Sequence, residues 1–212
     1  MTTNRFSPRN DADVADLVTR HPLAFVVSHG GDRVHSTPLP MRIEHVDDGR
    51  IATLTGHIAR ANPQVAALQV DPRATLLFRG PQGYVSPSWF NDRTQAPTWN
   101  YVVANFAVRI DFLDDTASLE RIVRDLVDAM EAGRKRAWSV DDMGTRYAQL
   151  ASRIVAFRAT VTAIEAKFKL GQDERDDIYP EIIAGLRNEG DQDALIAMMQ
   201  EFNAQRDAGK SP

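Results

Sequence analysis

The chain has 212 residues, 43% of them hydrophobic and 25% charged, enough for one well-buried core with helical decoration. It contains no cysteine, which excludes disulfides, iron–sulfur ligation and thiol catalysis. A formal net charge of −4 lacks the basic bias with which duplex-DNA binders neutralise phosphates. No apolar run reaches the roughly 20 residues needed to cross a bilayer. The first ten residues hold no apolar signal segment, so a cytoplasmic location is expected.

In chain order, residues 11–20 place Val14, Leu17 and Val18 at helical spacing. Leu23 to Ser28 is a short apolar, β-branched run that predicts a buried strand, followed by a hairpin turn at His29-Gly30-Gly31-Asp32. Arg33 to Thr37 begins the partner strand, and Pro38 and Pro40 predict an extended, irregular stretch lacking ladder donors. Strands at Met41–Val46 and Arg50–Gly56 flank the turn Asp47-Asp48-Gly49. Asn62-Pro63 is a helix start, since Asn caps and Pro suits the first helical position; Asp71-Pro72 stops that helix. Ala74 to Phe78 reads as a strand, Gly80-Pro81 as a turn and Tyr84-Val85 as a further short strand.

Ser86 to Pro97 is polar and turn-rich, and Trp99 to Phe112 alternates with a period of two. Residues 116–131 form a strongly amphipathic helix, with a solvated basic turn at Arg134-Lys135-Arg136. A short helix over Met143–Leu150 and a long strand over Arg153–Phe168 follow. Two helices are expected over Asp173–Arg206, the second capped by Asp191 and buried through Leu195, Met199 and Phe202. The tail Asp207–Pro212 is disordered by composition. Turns join most consecutive strands, so the expected fold class is α+β: a small closed antiparallel barrel with peripheral helices and a helical C-terminus. The division expected is a barrel domain over 1–170 and a helical extension over 171–212, packed on the same domain.

P-loop, dinucleotide-binding, zinc-protease and serine-hydrolase motifs are absent. His29 and His35 flank a hairpin, yet no carboxylate spacing completes a metal site; two partly exposed hairpin histidines are expected, and no metal. Three segments carry chemistry. In Thr55-Gly56-His57-Ile58-Ala59-Arg60-Ala61-Asn62-Pro63-Gln64 a strand ends and a capped helix begins. Helix-start dipole, Arg60 and His57 could hold a phosphate there, or the segment is an ordinary polar connection. Tyr84 to Tyr101 gathers Trp89, Trp99 and two tyrosines, which suit a planar heterocycle, a barrel core or a dimer interface. Lys167 to Gln172 ends the last strand with two lysines, able to neutralise an anion or a reduced flavin, or simply solvated.

Together these stretches resemble the PaiB family, the FMN-binding negative transcriptional regulators. The resemblance rests on Gly56-His57 through Asn62-Pro63-Gln64, Phe78-Arg79-Gly80-Pro81, Tyr84 with Ser86-Pro87-Ser88-Trp89, Pro97-Thr98-Trp99-Asn100-Tyr101 and Lys169-Leu170-Gly171-Gln172, in order along nearly the whole chain. Departures are Met1-Thr2-Thr3-Asn4 for the family's Met-Tyr-x-Pro opening, Phe90 for Tyr, Gly171 and Asp173 for Ser and Asn, and Ser36-Thr37-Pro38 for Thr-His before Leu-Pro. The resemblance implies an FMN-binding split β-barrel related to pyridoxamine phosphate oxidase, with two chains forming two FMN sites at a homodimer interface. It implies Ser36, Thr37 and Leu39 beside the flavin ring, and Thr55, His57, Arg60 and Asn62 near the ribityl phosphate. Trp89, Trp99 and Asn100 would come from the other subunit or shape the interface, and Lys169 and Gln172 would close the site. The implied function is a flavin-dependent redox protein or flavin-linked regulator, with FMN supplying the chemistry. The alternative is a negative transcriptional regulator acting through a partner or small molecule without enzymatic activity; the acidic charge argues against direct DNA readout. A haem barrel ranks last, because no histidine stands out as an axial ligand. No residue presents itself as general acid, base or nucleophile.

Overall fold

The computed structural model describes residues 5–204; the tail expected to be disordered, 207–212, lies outside the described residues. Its elements are α1 (Asp11–Arg20), β1 (Leu23–Gly30), β2 (Arg33–Pro40), β3 (Arg42–Asp47), β4 (Arg50–Ala59), α2 (Pro63–Val70) and β5 (Arg73–Val85), followed by β6 (Thr98–Leu113), α3 (Thr116–Glu131), α4 (Arg146–Ala151), β7 (Ile154–Lys169), α5 (Ile178–Glu189) and α6 (Asp193–Phe202). The strands form one seven-stranded antiparallel sheet in the order β2-β1-β5-β6-β7-β4-β3, the split-barrel arrangement. The expected closure into a complete barrel does not occur: β2 and β3 stand at the two edges of the sheet.

Three local expectations are corrected. β2 runs straight through Pro38 and Pro40, because an edge strand needs inward donors on one side only. β5 is one strand of 13 residues that passes through Gly80-Pro81 without turning. The N-cap of α6 is Gln192, and Asp191 precedes it with a left-handed φ of 53°.

The chain divides into two compact units. One comprises residues 10–78 and 104–165. Its interior is built from the inward residues of the strands, with Phe78 and Phe106 meeting edge to face at 5.3 Å. α1 buries Val14, Leu17 and Val18 and is capped by the Asn10 side chain. α3 begins at the Asp115 cap and lays Leu119 and Ile122 against Ala156 of β7. The other unit comprises residues up to 9, 79–103 and 166–212. There α5 and α6 bury Ile178, Ile182, Leu186, Leu195 and Met199, and Phe168 stacks on Phe202 at 5.2 Å.

Candidate functional site

At the end of β4 the backbone is fully committed before α2 begins. Arg60 N–H donates to Arg153 O (2.8 Å), and Asn62 N–H donates to Ala59 O (2.9 Å). Asn62 then caps α2 by accepting from Gln64 N–H (2.9 Å), Pro63 has no N–H, and Val65 N–H returns to Asn62 O (3.0 Å). The first donors of the helix are therefore used internally. An anion here rests on the Arg60 guanidinium and the helix dipole rather than on free backbone groups. Arg60 is half-exposed and makes one long ion pair with Asp114 (3.6 Å). Both line a cavity of about 380 Å³ with Asn62, Val65, Gln69 and Phe112.

Side chains tie this junction to the strands on its other side. Asn62 Nδ2 donates to Thr37 Oγ1 on β2 (3.1 Å). Gln64, fully buried, donates through Nε2 to Val26 O (2.9 Å) and Ser28 Oγ (3.0 Å) on β1. Strand alternation separates the expected β2 contacts: Thr37 and Leu39 point inward, and Ser36 points to the opposite, exposed face with Pro38.

Thr55 and His57 share one face of β4. His57 is largely enclosed, its Nδ1 is buried without a partner, and burial holds its pKa below the usual 6.5. Thr55 sits in a cross-strand row, with Arg42 of β3 on one side and Arg158 of β7 on the other. Arg158 grips Glu44 through Nε (2.5 Å) and a terminal nitrogen (2.8 Å), and Arg121 of α3 reaches the same carboxylate (3.1 Å). The Arg158 bonds hold the Glu44 carboxyl below its usual range against an opposing burial penalty.

The remaining expected contacts belong to the other unit. Tyr84 and Trp99 are exposed and lie 5.7 Å apart with their rings tilted by 57°. With Ser86, Ser88, Trp89 and Glu189 they line a cavity of about 470 Å³. Trp89 packs its indole on Gly185 of α5 so closely that a Cβ there would lie 2.3 Å from the ring. Asn100 is fully buried; its amide donates to Met199 Sδ (3.5 Å) and its Oδ1 has no partner. Lys169 Nζ donates to Thr98 Oγ1. Gln172 folds back on its own turn, accepting from Leu170 N–H (2.7 Å) and donating to Phe168 O (2.5 Å).

The structure thus brings together Thr37 with Asn62 and Arg60, and separately Thr55 with Arg42 and Arg158. It turns Ser36 away from Thr37 and encloses Asn100. His29 pairs with Val34 and His35 with Ser28, so the two histidines lie on opposite faces of the hairpin and cannot chelate together. Sequence reasoning missed Gln64 and the Arg42–Glu44–Arg121–Arg158 group. The charged pair Arg42 and Glu44, two apart on a strand, was the signal that one face of β3 meets other charges.

The family described as "Putative FMN-binding domain" matches residues 1–163. The chain is 26% identical to Protease synthase and sporulation protein PAI 2 of Bacillus subtilis, over 87% of each chain. Among solved structures it resembles the FAD and heme binding protein of Mycobacterium smegmatis, with a TM-score of 0.58 at 18% identity over 86% of this chain and 80% of that one. It also resembles the flavocytochrome Anf3 of Azotobacter vinelandii, with a TM-score of 0.56 at 17% identity over 76% and 68%. At those identities the two structures share the fold with it. The chain belongs to the family described as "Putative FMN-binding domain", the PaiB family of flavin-binding split-barrel proteins.

Proposed function

We propose that the protein is a cytoplasmic homodimer that holds FMN and serves as a flavin-dependent redox protein. The observation that carries this reading is the bond from Asn62 to Thr37, which fastens the Arg60 helix start to β2. Those are the segments that family resemblance assigns to the phosphate and to the ring. Arg60 would meet the phosphate as a bidentate cation, with the α2 dipole behind it. His57 fits a bound polyol: its enclosed Nδ1 lacks a partner, and a ribityl hydroxyl, able to donate or accept, supplies one. Bound flavin would supply one- and two-electron redox chemistry, while this chain's residues bind, orient and exclude water.

The homodimer draws support from the outer face of the sheet. Leu23 and Phe25 are 58% and 46% exposed, and Phe25 pairs across the strands with Pro38 and Leu77. A contiguous apolar strip of that kind suits a second copy. In the dimer, exposed Trp99 and Tyr84 of the partner chain would cover the flavin ring.

The test is an FMN titration followed by visible absorbance and by chromatography of the released flavin. A perturbed flavin spectrum, FMN rather than FAD on release, and NADH-dependent bleaching are expected. Arg60→Gln should weaken FMN about tenfold or more, the scale of a lost charge-assisted bond. Saturating FMN with no spectral change or retained flavin would overturn the reading.

A further inference from the structure

A third cavity, of about 310 Å³, lies where α3 crosses the Arg42–Thr55 row, and it is lined by Arg42, Glu44, Thr55, Arg121, Asp125 and Asp128. Most of its charges are already matched. Glu44 is held by Arg158 and Arg121, and Arg121 also reaches Asp125 (3.6 Å). Two charges remain over. Arg42 makes no side-chain hydrogen bond or ion pair among the described residues, and its Nε is buried without a partner. Asp128, exposed at the rim on α3, likewise pairs with no cation among the described residues.

A buried guanidinium N–H with nothing to donate to is costly, and it favours an occupant that accepts. Thr55, itself buried beside Arg42, adds a hydroxyl to the same wall. The leftover carboxylate of Asp128 favours a positive group and disfavours a multiply charged anion. One small molecule carrying both signs satisfies both ends at once.

We infer that this cavity binds a small amino acid, its carboxylate on Arg42 and Thr55 and its ammonium toward Asp128. Glu44, Arg121 and Asp125 are engaged with one another and with Arg158, which leaves Arg42 and Asp128 to the occupant. The inference stands independently of the flavin, although Thr55 also belongs to the contacts expected for FMN.

The test is calorimetric titration of the protein, with and without FMN, against a panel of the protein amino acids, acetate, ethylamine and inorganic phosphate. A saturable heat from at least one amino acid is expected, tighter than acetate or ethylamine. Arg42→Gln should weaken that amino acid and acetate alike, by about tenfold or more. Asp128→Asn should weaken the amino acid several-fold and leave acetate unchanged or tighter. Circular dichroism and the melting temperature confirm that each variant folds; should Arg42→Gln not fold, the amino-acid/acetate split in the surface variant Asp128→Asn decides. No heat from any amino acid, preferential binding of phosphate by the FMN-loaded protein, or an unchanged split in Asp128→Asn overturns the proposal. None of these outcomes alters the FMN titration, so the two readings fail separately.

Discussion

Arg158 and Glu44 lie 114 residues apart in sequence, yet the guanidinium of β7 and the carboxylate of β3 meet through two charge-assisted hydrogen bonds. The pair spans β4, which lies between their strands, and Arg121 brings α3 to the same carboxylate. Glu44 is mostly enclosed, so removing its charge strands the Arg158 fork. Glu44→Gln should destabilise the fold by about 2 kcal/mol, the scale of a broken charged bond in a half-buried setting. Chemical denaturation of both proteins at pH 7 measures it.

The same pair sets an acid limit. Arg158 holds the Glu44 carboxyl below its unperturbed 4.5, so the folded state binds this proton less readily than the unfolded chain. The contribution is therefore complete above about pH 4.5 and is lost as pH falls through the depressed folded value. Glu44→Gln should flatten that part of the stability–pH curve and leave its neutral arm parallel to the wild type.

His57 acts at milder pH with the same sign. Burial lowers its pKa from 6.5, so the unfolded chain takes up the proton first. Stability on this account is complete above about pH 6.5 and declines as pH falls from there toward the folded value. His21, also lowered mainly by burial, declines in the same window. His57→Asn should shrink the fall between pH 6.5 and 5 without abolishing it, as read by melting temperature across that range.

The parts of the site that the sequence disclosed are contiguous. Arg60, Asn62 and Pro63 lie on one turn of chain, so a cap, a cation and a helix start can be read together. The Arg42, Thr55, Arg121 and Arg158 group comes from β3, β4, α3 and β7, and only the register Arg42↔Thr55↔Arg158 assembles it. The fold shows the same division. α3 is legible to the residue because its stripe is periodic; the structure adds the Asp115 cap. β5 was split in the reading because Gly80-Pro81 is a local turn signal. Its ladder with β1 ends at Leu77, so Pro81 removes no donor from that pairing. Closure failed for a related reason: alternation specifies faces, not which strands end at an edge.

Gln64 offers a separate probe of the α2 junction. Its amide bolts the helix to Val26 and Ser28 on β1 from a fully buried position. Gln64→Ala leaves Val26 O and Ser28 Oγ without that donor and opens a cavity. A loss of about 2–3 kcal/mol in denaturant unfolding is expected. FMN affinity should fall as well, since Asn62 and Arg60 enter the same turn. A stability loss with unchanged FMN affinity would show that the α2 start is not part of the cofactor's seat.

The apolar strip on β1 gives the last prediction. Phe25 is exposed at the centre of a surface with Leu23 beside it and Pro38 and Leu77 opposite. Its side chain leaves the fold on the solvent face, so Phe25→Asp costs the isolated chain little. In a dimer built on this strip the same change buries a charge against an apolar partner surface. Light scattering after gel filtration should therefore report a homodimer for the wild type and a folded monomer for Phe25→Asp. If the partner chain covers the flavin ring, FMN affinity must drop with the dimer. A monomeric variant that still binds FMN at wild-type strength would confine the cofactor to a single chain.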